Sequence, residues 1–136
     1  MLEKRVVIKQ RYLAVPLLVA LVAAGVYAYI YFERGQDRSS VLAFVRMNEL
    51  PPSAQEVEIV EHPMPDRIEY RLTFEAEPAA IESWLAESPA TAELEPSPTE
   101  AGGEAYTVLG TGGETKAVIT RAASGDAVEV HVFWLR

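Results

Sequence analysis

Cysteine is absent from the 136 residues of this chain, and histidine occurs only twice. Without cysteine the chain forms no disulfide, binds no metal through a thiolate and carries no lipid on an N-terminal cysteine. His62 has Glu61 and Asp66 nearby, whereas His131 stands in an apolar alternation. Neither pattern has two ligands at a fixed spacing on one element, as metal sites usually do. We therefore predict no metal and no cofactor.

Charge is absent from residues 12–32. A helix over this stretch is about 32 Å long, which matches the roughly 30 Å hydrocarbon core of a bilayer. We expect residues 12–32 to form a transmembrane helix in which Pro16 lies near the helix start. The four basic residues before it are Lys4, Arg5, Lys9 and Arg11. Basic flanks stay on the cytoplasmic side, so we predict a single-pass protein with its N-terminus in the cytoplasm and its bulk outside.

A cleavable signal peptide is the alternative for the same segment, because Val26-Tyr27-Ala28 resembles a cleavage site with small flanking residues. The apolar run is longer than the core of about 7–15 residues that is typical of such peptides. The length favours a retained signal anchor.

Small residues recur along the predicted membrane helix at Ala20, Ala24 and Ala28, with Gly25 beside them. Such spacing lets a second helix approach closely, and we predict that these four residues form a helix–helix packing surface. The alternative is that alanine and glycine are simply common in membrane helices.

Acidic residues dominate the part beyond the membrane segment. From residue 33 onward eight Lys and Arg stand against nineteen Asp and Glu, a formal charge of −11. This charge excludes nucleic acid as a partner and is compatible with a basic protein or with cations. Solubility outside the cytoplasm is the simpler explanation of the same charge.

A juxtamembrane helix or linker is predicted over residues 33–50, either as a separate element capped by Ser39 and Ser40 or as a continuation of the membrane helix. Val41, Phe44 and Val45 fall at helical spacing, and Pro51 marks the end.

Residues 51–136 are predicted to form a small extracytoplasmic α+β domain. Alternation of polar and apolar residues predicts five strands, at residues 56–61, 68–75, 106–109, 116–120 and 128–135. Pro78 opens a helix that we expect to end near Glu87 and to bury Ile81, Trp84 and Leu85. The expected architecture is a hairpin, one packed helix and a three-stranded meander, which together form an antiparallel sheet of about five strands.

Two further segments are interpreted as connections. Residues 88–103 are rich in proline, serine and glutamate and are predicted to be an extended or mobile loop. Residues 110–116 faintly resemble a phosphate-binding loop, but a strand follows them instead of a helix, so we predict a hairpin turn.

Phe133 and Trp134 are adjacent on the last predicted strand and so face opposite sides of the sheet. One of them would lie on the face away from the helix, and the pair is a candidate partner-binding patch. Partial burial of this region under the juxtamembrane helix is the alternative.

The segments predicted from the sequence are 1–11 for the cytoplasmic N-terminus, 12–32 for the anchor, 33–50 for the juxtamembrane part and 51–136 for the outer domain. No catalytic motif is present, so we expect a non-enzymatic protein. We expect it to serve as an accessory or assembly subunit of a larger bacterial membrane complex, with other membrane proteins and the bilayer as partners. The alternative is a membrane-tethered periplasmic module that binds or senses a peptide, a cation or a small ligand.

Overall fold

The computed structural model describes the backbone of residues 2–135 and the side chains of residues 14–29 and 38–135. The chain divides into two compact units, Met1–Gln36 and Asp37–Arg136. The predictions on the basic flank before residue 12 concern side chains outside the described residues, as do those on the two ends of the membrane helix, residues 12–13 and 30–32.

Helix α1 extends over Leu2–Val45 without interruption. It begins well before Pro16, so this proline lies inside the helix and not near its start. Ser39 and Ser40 also lie inside it, so the juxtamembrane residues continue the same helix up to Val45. Among the described residues, no helix includes a stretch that is both long enough and apolar enough to cross a bilayer. The transmembrane helix at residues 12–32 stays a prediction.

The second unit has the predicted α+β architecture, with a sheet of six antiparallel strands. Its elements in chain order are β1 (Gln55–Pro63), β2 (Arg67–Glu75), α2 (Pro78–Glu87), β3 (Ser97–Pro98), β4 (Glu104–Leu109), β5 (Thr115–Arg121) and β6 (Ala127–Leu135). In space the strands follow the order β1-β2-β6-β5-β4-β3. The predicted hairpin β1–β2 and the meander β4–β5–β6 are both confirmed, and β6 joins them by pairing with β2.

One face of the sheet carries the core. It is buried against α2 and the last turns of α1, because alternate strand residues point to this face. The largest fully buried side chains of the strands are Leu72, Phe74, Ile119, Val130 and Val132. From α2 come Ile81, Trp84 and Leu85, as predicted, and from residues 41–47 come Val41, Leu42, Val45 and Met47. The core therefore includes residues before and after position 51, at which the outer domain is predicted to begin.

Residues 88–103, predicted to be an extended or mobile loop, are extended at the short strand β3 and are buried at two of their first residues. Ser88 and Thr91 are 0% and 3% exposed. The Thr91 hydroxyl donates a hydrogen bond to the Leu85 carbonyl (2.6 Å), and the Ser88 hydroxyl accepts one from the Asn48 N–H (3.1 Å). Because these bonds satisfy the polar groups, a polar segment can be buried at little cost.

Tyr106 on β4 provides a test of this packing at alkaline pH. Burial, followed by the nearby Glu104 carboxylate, raises the pKa of Tyr106 above its ordinary value of 10.0. In the unfolded chain the phenol ionises near that value, whereas in the folded chain it keeps its proton to higher pH. The stability that depends on neutral Tyr106 is therefore complete below about pH 10 and is lost as the pH rises through the folded pKa. We expect Tyr106→Phe to lose less stability than the wild type between about pH 8 and 11. Urea midpoints that fall in parallel for the two proteins would contradict this.

Candidate functional site

Trp134 lies at the end of β6 on the face that carries the core. Its ring stacks on Phe44 of α1, with centroids 4.3 Å apart, and Tyr70 approaches it edge-on at 6.3 Å. Trp134 remains 37% exposed. The alternative interpretation of this region predicts partial burial under the juxtamembrane helix, and the contact with Phe44 is such an arrangement. A partner contact through the exposed part of Trp134 stays a prediction.

Phe133 points to the opposite face, as the strand alternation requires, and its ring lies 4.5 Å from that of His131. Phe133 and Phe44 both line a cavity of about 260 Å³ near the end of β6. Lys116 holds its Nζ atom 4.3 Å from the centre of the Phe44 ring, a cation–π contact. The two predicted patch residues therefore point to opposite faces at the end of β6, where Phe44 contacts Trp134 and lines the cavity together with Phe133, and the partner patch stays a prediction.

The two histidines, which are far apart in the sequence, lie at one cavity. His62 on β1 is opposite Glu69 on β2, and His131 on β6 lies 3.1 Å from the Glu69 carboxylate. A cavity of about 320 Å³ is lined by both histidines together with Glu69 and Arg71. No local sequence pattern predicts this cavity, because the contact depends on β6 pairing with β2. Among the described side chains, no group of three or more His, Cys, Asp and Glu has the arrangement of a metal site.

Ion pairs cross the face of the sheet on which these histidines lie. Arg67 approaches the second oxygen of Glu69 at 3.8 Å, and Arg71 approaches Glu129 at 3.6 Å. The first pair lies within β2 and the second joins β2 to β6, and such pairs between partly exposed groups contribute little individually to stability. Their effect is to fix the positions of the charges on this face.

A larger cavity, of about 750 Å³, lies at the other end of the same face. Four glutamates contribute to its lining: Glu56, Glu58, Glu75 and Glu129. Arg121 also lines it, but its guanidinium donates to the carbonyls of Gly125 (3.1 Å) and Pro78 (3.0 Å). The cavity is therefore dominated by negative charge, and sequence analysis missed it because the glutamates come from three different strands.

The turn at residues 110–114 has the hairpin geometry that the sequence predicts. The Gly110 N–H donates to the Glu114 carbonyl (2.8 Å), and the Gly113 N–H donates to the Gly110 carbonyl (3.1 Å). Gly113 has φ of 81°, a conformation that favours glycine. Strand β5 follows directly, so the segment forms no helix N-terminus for a phosphate.

The small residues of the first unit have open surroundings. Ala20, Ala24, Gly25 and Ala28 are all exposed, and a Cβ atom placed on Gly25 meets nothing within 4 Å. This is the space that a second helix needs for close approach, and the packing surface itself stays a prediction. No family model, curated protein or solved structure matches this chain.

Proposed function

We propose that this chain is a non-enzymatic accessory or assembly subunit of a larger bacterial membrane protein complex. In this proposal residues 12–32 anchor it in the inner membrane, with the N-terminus in the cytoplasm and the acidic domain in the periplasm. The bilayer and other membrane subunits are its partners.

The observation that carries the proposal is the exposure of an apolar helix on all its sides. Every side chain from residue 14 to residue 29 is exposed, and the large aliphatic ones there are 53% to 65% exposed. Consecutive exposed positions such as Leu17, Leu18 and Val19 point in different directions around the axis. A soluble amphipathic helix has one apolar stripe and one polar face, so an apolar surface all round requires lipid or other helices as cover.

Charge supports the same arrangement. Four basic residues lie within the eleven positions before the uncharged segment and only two, Arg34 and Arg38, within the eleven positions after it, which is the asymmetry of an N-in, C-out protein. The acidic outer domain also avoids anionic headgroups and is suited to a partner of opposite charge.

The alternative, a tethered binding or sensing module, is favoured by one observation, the acidic cavity of about 750 Å³. A ligand of such a module would raise the melting temperature of the purified chain, whereas an accessory subunit would retain a companion at fixed stoichiometry.

Helix docking gives the proposal a test with a matched control. Ala24→Ile keeps the segment apolar but adds bulk where two backbones should meet, and Leu21→Ile makes an equally apolar change at an exposed neighbour. Because there is little hydrophobic force between helices in lipid, close packing that is lost is not replaced. We expect tagged Ala24→Ile, extracted in mild detergent, to lose most of its companion subunits and Leu21→Ile to keep them.

Equal recovery of companions from both variants would contradict docking along the small residues. The alanine spacing would then reflect composition alone, and the interaction would have to come from the outer domain.

A further inference from the structure

Strand β1 is the long open edge of the sheet. It is nine residues long and pairs with β2, and within the described residues no strand lies on its other side. Eight of its nine side chains are exposed. The opposite edge strand, β3, has only two residues. An edge strand of this length presents unpaired N–H and C=O groups at alternate residues, to which an added strand can bind.

The side chains of β1 restrict what can bind there. Glu56, Glu58 and Glu61 lie along it together with Val57 and Val60, which are 37% and 46% exposed. Glu58 and Glu61 are an odd number of residues apart and so point to opposite faces of the sheet. Opposite charges on paired strands attract and like charges repel. A second copy of this chain would double the number of glutamates along the seam, whereas a segment with lysine or arginine would neutralise them.

The acidic cavity lies beside the first part of this strand. Glu56 and Glu58 line it together with Glu75 of β2. The ion pairs of the described residues involve none of these three carboxylates. A basic side chain from an added strand therefore finds three carboxylates that are in no ion pair of the described residues, and Arg121, which also lines the cavity, donates to backbone carbonyls.

The backbone of β1 is irregular only at this end, and the rest of the strand pairs regularly with β2. Glu56 has φ of 51°, and the register with β2 shifts between Gln55 and Glu58. From Glu58 to Pro63 the pairing is continuous. A bulge commonly ends pairing locally and redirects side chains, so residues 58–62 are the part of β1 that offers a regular edge.

We propose that β1 binds an extended basic segment of a partner protein as an added strand, with lysine or arginine side chains facing its glutamates. The inference rests on the proposed accessory role and deepens it by giving the chemistry of the partner.

The test uses the purified full chain in mild detergent and a fluorescent peptide of alternating lysine and threonine. A peptide in which proline replaces every threonine has the same charge but cannot pair with a strand. Glu56→Lys with Glu58→Lys removes acid from the edge beside the cavity, and Glu93→Lys with Glu95→Lys makes the same change of net charge at exposed loop residues. We expect the edge variant to weaken binding at least about tenfold and the loop variant less than about threefold.

Backbone pairing has its own readout. Amide hydrogen exchange within residues 55–63 is expected to slow when the lysine–threonine peptide binds and to stay unchanged with the proline peptide. Equal weakening by the edge and loop variants, absence of protection in β1, or self-association of the chain through β1 would each overturn the inference. If companion subunits copurify but the peptide does not bind, only this inference fails; if the peptide binds but no companion copurifies, only the accessory role fails.

Discussion

A fragment that begins at Pro51 is expected not to fold, whereas one that begins at Asp37 is expected to fold cooperatively. The shorter fragment keeps every strand and α2 but lacks Val41, Leu42, Val45 and Met47, which are 0% to 6% exposed. Burial of one such side chain stabilises by about 1.5–3 kcal/mol. The four together contribute roughly 6–12 kcal/mol, which is comparable to the roughly 5–15 kcal/mol that stabilises a whole domain.

The fragment that begins at Pro51 also lacks the residues at and just after the end of α1, which hydrogen-bond to α2 and to the residues that follow it. The Asn48 carbonyl accepts a hydrogen bond from the Trp84 indole (2.9 Å), and the Asn48 N–H donates to Ser88. The Arg46 carbonyl accepts one from the Ala90 N–H (3.1 Å). Loss of these partners leaves polar groups of α2 and the residues after it unsatisfied.

Thermal denaturation followed by circular dichroism distinguishes the two fragments. We expect a single sharp transition for residues 37–136 and no cooperative transition for residues 51–136. Similar transitions for both fragments would mean that residues 41–47 are dispensable for the core. Within the longer fragment, Leu42→Ala serves as an intermediate case, with an expected loss of about 2–5 kcal/mol.

Trp84→Ala is the second change with a large expected effect, a loss of about 3–5 kcal/mol. Trp84 is 4% exposed and meets Phe74 edge-on, with ring centroids 5.3 Å apart. Alanine leaves a cavity between α2 and β2 and leaves the Asn48 carbonyl without its indole donor. Urea denaturation can be followed by the fluorescence of Trp134, the other tryptophan of the chain.

Trp84→Phe separates the two contributions. Phenylalanine keeps most of the ring in the core but has no N–H, so the loss of the hydrogen bond dominates, at about 1–3 kcal/mol. A loss below about 1 kcal/mol for Trp84→Ala would show that the indole is not part of the core in solution.

The elements that were predicted correctly are those whose residue pattern lies within one continuous stretch of sequence. The alternation of polar and apolar residues along residues 68–75 matches β2. Helix α2 matches the prediction from the proline at the start of the helix and from three apolar residues along one of its faces. The two-residue strand β3 has no such pattern, because its pairing with β4 depends on where β4 lies. The prediction of about five strands therefore missed the sixth.

Long-range contacts explain what the sequence did not reveal. Ser88 looks like a polar residue at a helix end, and its burial depends on Asn48, which is forty positions away. His62 and His131 meet at one cavity only because β6 pairs with β2. The acidic cavity beside β1 likewise collects glutamates from three strands, so no spacing within one segment predicts it.

The proposed role as an accessory subunit can be tested by quantitative mass spectrometry of the proteins that copurify with the tagged chain from native membranes in mild detergent. We expect the chain in the membrane fraction with at least one membrane protein at fixed stoichiometry. Recovery of the chain from the soluble fraction, or from membranes without any stoichiometric companion, would contradict it.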